Sequence, residues 1–215
     1  MLVSQLVSAH AYHHVQRFIV ELLDMQFSDV RAMLQLPRPD IGIAPACNFA
    51  ITSSLCNLIS GISTTIYKPP ELPPAGRSKC CSGQAFQGVV RDFFPYTPPG
   101  ANDFPKHLYK LCRNPMAHSA GLMDAPAPAV FFTRIFDPSH DGVGWSDQEL
   151  EDLERPDRQY CLPLPGIVID PRRWTLHCDS FYMDVIELLR RLTDNAAQMQ
   201  AAEDRFCQGV FNWRR

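Results

Sequence analysis

Apolar residues recur every three or four positions along three stretches of this 215-residue chain, and this spacing limits its fold more than any other feature. The stretches cover residues 15–36, 44–67 and 179–205. Each pattern predicts an amphipathic helix that buries one face. Asp179 is the expected cap of the last helix. A protein built from such segments has a helical core.

Prolines and short alternating runs divide the rest of the chain. Residues 69–79 hold four prolines within six positions, which predicts an exposed Pro-rich loop. Shorter helices are expected at 83–94 and from Asn102 or Asp103, with Pro105 in the first turn. Residues 166–170 and 174–178 read as a β-hairpin before the last helix. We therefore predict one all-α domain over residues 1–215, a bundle of four to five helices with a small inserted β-hairpin.

Residues 124–165 predict a partly structured insertion, because they are too many for a plain loop. A strand is expected within 129–136. An acidic helical turn on the surface is expected at 146–154. The role of the insertion stays open at this stage.

Composition excludes several classes of protein. The formal net charge is −3, so a strongly basic, nonspecific nucleic-acid binder is excluded and any such contact must be local. The sequence contains no run of about 18 apolar residues, so no membrane span is expected. The first residues lack the features of a signal peptide. The eight cysteines include no CxxC pair and no zinc-finger spacing. We expect reduced thiols in a cytoplasmic protein without cofactor or metal, and the role of Cys80 and Cys81 stays open.

The segment 113–118, RNPMAH, carries the residues best suited to chemistry. Arg113 has a permanent charge and a donor fork that matches phosphate oxygens. His118 can transfer a proton near neutral pH. Together they suit cleavage of RNA, which supplies its own 2′-hydroxyl nucleophile. Asn114 and Ser119 are candidates to orient the phosphate or the imidazole.

The spacing of this pair also poses a geometric problem. In an ideal helix, positions five apart differ by about 140° and lie about 7.5 Å apart along the axis. A kink at Pro115, or a second chain, is needed to bring Arg113 and His118 into one cleft. The structural alternative is that His118 packs at a helix end while Arg113 pairs with an acidic neighbour. His107, on the same predicted helix, either supports the cleft or is simply exposed.

The segment 108–119, with its RNPMAH core, resembles the R-x4-6-H signature of HEPN domains. The resemblance implies a compact α-helical homodimer whose two motifs face each other across a cleft. It implies a metal-independent endoribonuclease in which Arg113 holds the scissile phosphate, His118 acts as base or acid and Asn114 supports them. RNA is the implied partner. A toxin–antitoxin or defence-system setting, with an antitoxin or defence protein as a further partner, is also implied.

Two alternatives accompany this interpretation. One is a noncatalytic HEPN-like module that binds RNA, a nucleotide or a protein partner. The other is a helical interaction protein with an accidental motif. Ala120 departs from the tyrosine often found two positions after the histidine in toxins controlled by nucleotidyltransferase antitoxins, which puts that form of control in doubt.

Other residue groups give weaker signals. His10 and His14 have the spacing of a weak metal pair, but an exposed polar turn is favoured. Three arginine doublets, at 172–173, 190–191 and 214–215, either contact RNA phosphates or are solvated surface.

Overall fold

The computed structural model describes residues 12–36, 47–67, 81–98, 103–113, 129–133, 144–155, 165–170 and 173–208. These residues are mostly helical and include a small three-stranded sheet. In these ranges, no helix has both the length and the apolar character needed to cross a membrane. The predicted Pro-rich loop at 69–79 and most of the predicted insertion lie outside the described residues.

The described helical segments include the helices predicted at 15–36, 44–67 and 83–94, with similar bounds. They are α1 (His13–Phe18), π1 (Ile19–Leu23), α2 (Asp24–Leu34), α3 (Asn48–Thr65), α4 (Cys81–Phe93), α5 (Phe104–His107), π2 (Leu108–Arg113), α6 (Asp147–Glu154), α7 (Cys178–Thr193) and α8 (Ala196–Cys207). The helix predicted at 15–36 is therefore present, but its middle is wound as a π-helix. The helix predicted from Asp103 begins as α5 and continues as π2.

The centre of the core is α3, which contacts α2, α4, α7 and π2. Its apolar face was predicted correctly, since the side chains of Ile51, Leu55, Leu58, Ile59 and Ile62 are completely buried. α3 is amphipathic along much of its length, and its Ser and Thr residues are distributed on the less apolar side. Two of these polar residues, Thr52 and Ser63, are nevertheless buried by the neighbouring elements.

The predicted hairpin forms two strands of the sheet. These are β2 (Ile167–Asp170) and β3 (Arg173–His177), which pair antiparallel. The strand predicted within 129–136 is β1 (Ala129–Thr133), and it pairs parallel with β3. The strand order is β1-β3-β2, so the hairpin is completed by a third strand from the predicted insertion.

The last predicted helix was wrong in two respects. It is divided into α7 and α8, because the Asn195 side chain accepts a hydrogen bond from the backbone N–H of Gln198 (3.1 Å) and starts a new helix. Asp179 does not cap α7. β3 runs directly into this helix, so His177 occupies the cap position and Asp179 is buried inside the first turn, where it accepts a hydrogen bond from Trp145 Nε1.

The acidic segment at 146–154 is more than a surface turn. It forms α6, which begins with a capping box between Ser146 and Glu149. Glu154 at its end is 2% exposed, and its carboxylate accepts hydrogen bonds from Arg31 Nη1 (3.0 Å) and from the Tyr182 hydroxyl (2.7 Å). This buried carboxylate therefore joins α6 to α2 and to α7.

We expect Glu154→Gln to lower the free energy of unfolding by about 1–3 kcal/mol, because a buried anion that binds a guanidinium and a phenol is replaced by a neutral amide. Glu151→Gln is the matched control, since its carboxylate lies 3.9 Å from the same arginine and its side chain is 54% exposed. The control should cost less than about 0.5 kcal/mol. Urea unfolding measures both, and equal losses would show that Glu154 does not hold α6 in place.

Candidate functional site

Arg113 is the one residue of the predicted motif core that lies within the described part of the chain. It is the last residue of π2, and its side chain is half-buried. Leu108 and Cys112 of the same segment are completely buried, so they fix π2 against the core. The backbone that carries Arg113 is thus firmly packed. It is also π-helical, and π-helical turns inside helices occur frequently at functional sites.

Two contacts hold the Arg113 side chain. Its Nε–H donates a hydrogen bond to Ser60 Oγ of α3, at 3.0 Å. Its guanidinium carbon lies 5.6 Å from the centroid of the Tyr109 ring, within the range of a cation–π interaction. Among the described carboxylates, none lies within 4.0 Å of this guanidinium. The predicted alternative, in which Arg113 pairs with an acidic neighbour, has no support in this part of the chain.

The Tyr109 ring is itself held in place. It packs against Phe86 of α4, with ring centroids 5.5 Å apart. The same helix also approaches the ring closely at Gly83, where a Cβ atom would lie 3.0 Å from Tyr109 Cζ. Glycine at this position allows the helix backbone to lie against the ring. Tyr109 therefore offers Arg113 a surface with little freedom to move.

Two buried thiols, those of Cys56 and Cys112, lie near Arg113. Cys56 precedes Ser60 by one helical turn on α3, and it is 1% exposed. Burial raises the pKa of Cys56 to about 12, although the positive charge of Arg113 acts in the opposite direction. Burial also raises the pKa of Cys112, and the neighbouring Cys56 adds to this effect. Both groups remain neutral thiols, so they give Arg113 no negative partner.

The other predicted site residues are placed differently. Asn114, His118 and Ser119 lie outside the described residues, as does the kink predicted at Pro115. His107 is exposed, and its ring packs edge-on against Trp174 of β3 with centroids 5.7 Å apart. The contacts of His107 are thus with the sheet, whereas those of Arg113 are with α3.

One arginine doublet is engaged in intramolecular contacts. Arg190 and Arg191 both form ion pairs with Glu187, at 2.5 Å and 3.0 Å. Arg190 also donates to the backbone oxygen of Glu154 and Arg191 to that of Phe94, so the two side chains serve packing between elements. The side chains of the other two doublets, at 172–173 and 214–215, lie outside the described part of the chain.

Sequence reasoning missed Ser60 and Tyr109 as site residues. Ser60 is 53 positions from Arg113, so no local spacing connects them. The only signal for Ser60 was the run of Ser and Thr on the predicted polar side of the second helix. Tyr109 was read as part of the apolar approach to the motif, although its place four residues before Arg113 puts the two side chains on one face of a helix.

Comparisons of the chain with protein-family models, with curated proteins and with solved structures found no match.

We expect Cys56 and Cys112 to react with iodoacetamide at pH 8 at least about a hundredfold more slowly than Cys207, because only the thiolate reacts and burial keeps these two thiols protonated. Cys207 is exposed and serves as the internal reference. Peptide mass spectrometry of the native, chelator-treated protein measures all three rates. Equal labelling would show that the space behind Arg113 is open to solvent.

Proposed function

We propose that this chain is a metal-independent endoribonuclease of the HEPN type, in which Arg113 binds the scissile phosphate and His118 transfers the proton. One observation carries the proposal. The Arg113 guanidinium is anchored through Nε to Ser60 and rests against Tyr109, while no described carboxylate neutralises it. A fixed cation with terminal N–H groups that have no described partner is suited to bind a phosphate.

The charge of the surrounding sequence supports a local RNA contact. Residues 104–123 contain Lys106, His107, Lys110, Arg113 and His118, and neither Asp nor Glu. The whole chain has a net charge of −3. A basic segment on an acidic protein creates a local positive potential, which attracts a polyanion to this place rather than to the whole surface.

The proposed reaction uses the RNA's own nucleophile. The 2′-hydroxyl oxygen attacks the adjacent phosphorus, and the bond from phosphorus to the 5′-oxygen breaks. His118 accepts the proton of the 2′-hydroxyl, and the imidazolium of a second copy's motif donates a proton to the leaving oxygen. The products are a 2′,3′-cyclic phosphate and a 5′-hydroxyl. Arg113 neutralises the charge that develops on the phosphate oxygens, and Asn114 and Ser119 orient the groups.

The proposal includes the finer features that the HEPN resemblance implies. These are a bundle of four to five helices, a homodimer with two facing motifs, a cytoplasmic location and an antitoxin or defence-system partner. The second copy answers the geometric problem of the R-x4-H spacing, because it supplies groups that one helix cannot bring together. The noncatalytic RNA-binding module is the second candidate, favoured by the same acid-free basic segment.

We expect the protein to cleave 5′-labelled single-stranded or hairpin RNA in excess EDTA and to leave 2′,3′-cyclic phosphate ends. His118→Ala should lower the cleavage rate by at least about a hundredfold, since general acid–base catalysis contributes about 10²–10⁴-fold. Arg113→Gln should have an effect of similar size. Arg17→Gln is the matched control, because Arg17 is exposed and pairs with Glu21 within its own helix.

The possible outcomes separate the two candidates. Cleavage retained in His118→Ala rejects the assigned role. Binding without cleavage in the unmodified protein supports the noncatalytic module and contradicts the nuclease. For either candidate, Arg113→Gln should reduce the slope of log Kd against log salt by about 0.7, which is the loss of one phosphate contact with a single strand.

Ser60→Ala tests the positioning of Arg113. Loss of the hydrogen bond from Nε should lower kcat by about fivefold to tenfold, which corresponds to about 1–1.4 kcal/mol. Ser54→Ala on the same helix is the control, since Ser54 is also half-buried but does not contact Arg113. Circular dichroism should show similar melting for both variants. Unchanged kcat in Ser60→Ala would mean that this contact does not orient the arginine.

A further inference from the structure

Helix α8 packs against α1 through the rings of Phe18 and Phe206, and one carboxylate adds a polar link between the two helices. Glu203 is 9% exposed, and its Oε2 accepts hydrogen bonds from the backbone N–H groups of His14 and Val15, both at 3.0 Å. Burial by itself would raise the pKa of Glu203, but the hydrogen bonds from the His14 ring and from these two amides lower it. The hydrogen bonds from α1 hold this carboxylate in a fixed position.

Two further donor atoms lie beside this carboxylate. The second oxygen, Oε1, lies 2.7 Å from His14 Nδ1. Cys207 Sγ lies 3.7 Å from the same nitrogen. Because Cys207 follows Glu203 by four positions on α8, both side chains are on one helix face. The imidazole nitrogen, the carboxylate oxygen and the sulfur all lie within 4.8 Å of one another.

The chemistry of this donor set selects among metal ions. Ca²⁺ and Mg²⁺ prefer oxygen ligands alone, whereas Zn²⁺ binds thiolate, imidazole and carboxylate together. In a tetrahedral zinc site, bonds of about 2.3 Å to sulfur and about 2.05 Å to nitrogen place these two atoms about 3.6 Å apart. The observed separation of Sγ and Nδ1 is 3.7 Å. The sulfur and nitrogen are thus already spaced for one zinc ion.

The nitrogen and the carboxylate oxygen must separate slightly when a metal enters. In a tetrahedral zinc site these two atoms are about 3.4 Å apart. In this structure His14 Nδ1 and Glu203 Oε1 are 2.7 Å apart, at hydrogen-bond distance. Oε1 also accepts a hydrogen bond from the His14 amide, at 3.1 Å, but it can make this adjustment because Oε2 stays bound to the amides of His14 and Val15. The amides then act as the supporting hydrogen bonds that orient a metal-binding carboxylate. His14 and Cys207 are exposed, so the ion can enter from solvent.

We propose that His14, Glu203 and Cys207 form a zinc site that joins α1 to α8, with water as the fourth ligand. The thiol of Cys207 loses its proton to solvent and binds as thiolate. His14 binds the ion through Nδ1 as a neutral ring that carries its one proton on Nε2. The thiolate and the carboxylate together balance the two positive charges of Zn²⁺. The site shares no described residue with the Arg113 region, so this proposal stands without the proposed nuclease function.

Metal titration of the chelator-treated full chain tests the site. We expect Co²⁺ to give a thiolate-to-metal charge-transfer band and the visible bands of a tetrahedral ion, and Zn²⁺ to displace it at one ion per chain. Cys207→Ser should remove the charge-transfer band and weaken Zn²⁺ binding at least about tenfold, since even a supporting residue costs about 10–100-fold in affinity. Glu203→Gln can still accept the two amide hydrogen bonds and should weaken Zn²⁺ binding without unfolding α1.

Two control variants address other histidines and thiols. His13→Gln changes the neighbouring ring and Cys47→Ser changes another thiol, and both should bind Co²⁺ like the unmodified chain. Zn²⁺ should also raise the melting temperature and slow the alkylation of Cys207 by iodoacetamide in the unmodified protein. A charge-transfer band that persists in Cys207→Ser, or the absence of one in the unmodified chain, would overturn the proposal. Cleavage of RNA in EDTA would leave it intact, because the two sites have separate readouts.

Discussion

The burial of α3 is the constraint on which the other elements of this structure depend. Its apolar side chains Ile51, Leu55, Leu58, Ile59 and Ile62 have no exposed surface. Each buried aliphatic side chain contributes about 1.5–3 kcal/mol, so a shift of this helix would expose more apolar surface than a small domain can tolerate. Because α2, α4, α7 and π2 all pack on α3, its position sets theirs.

Both regions of chemical interest are also attached to α3. Its fourth turn presents Ser60 to Arg113. The backbone carbonyls of Thr65, Ile66 and Tyr67, at and just after the end of α3, accept hydrogen bonds from the guanidinium of Arg205. Burial lowers the pKa of Arg205. The positive charge of this side chain offsets the negative end of the helix dipole. Arg205 belongs to α8, the helix that carries the proposed zinc ligands. One buried helix therefore positions the arginine that we propose to bind phosphate and supports the helix that carries the proposed metal ligands.

Much of the fold could be predicted because helical periodicity is a local property. The helices at 13–34, 48–65 and 81–93 match the predicted segments to within a few residues, and the hairpin pair was placed correctly. The errors have a common cause. The burial of Glu154, the parallel partner of β3 and the break at Asn195 are decided by packing or by a single side-chain hydrogen bond, which a pattern of apolar residues does not encode.

The sequence by itself determined the helical class, the order of the elements and the chemical identity of Arg113, because residue type and spacing act over a few positions. Only the tertiary structure decided which distant groups surround that arginine: a serine 53 positions away and the neutral, buried thiol of Cys56 on the same helix as that serine. The same holds for His14 and Glu203, which are 189 positions apart. Contacts between distant segments arise when separate apolar faces share one core, and no local spacing records which polar groups then meet.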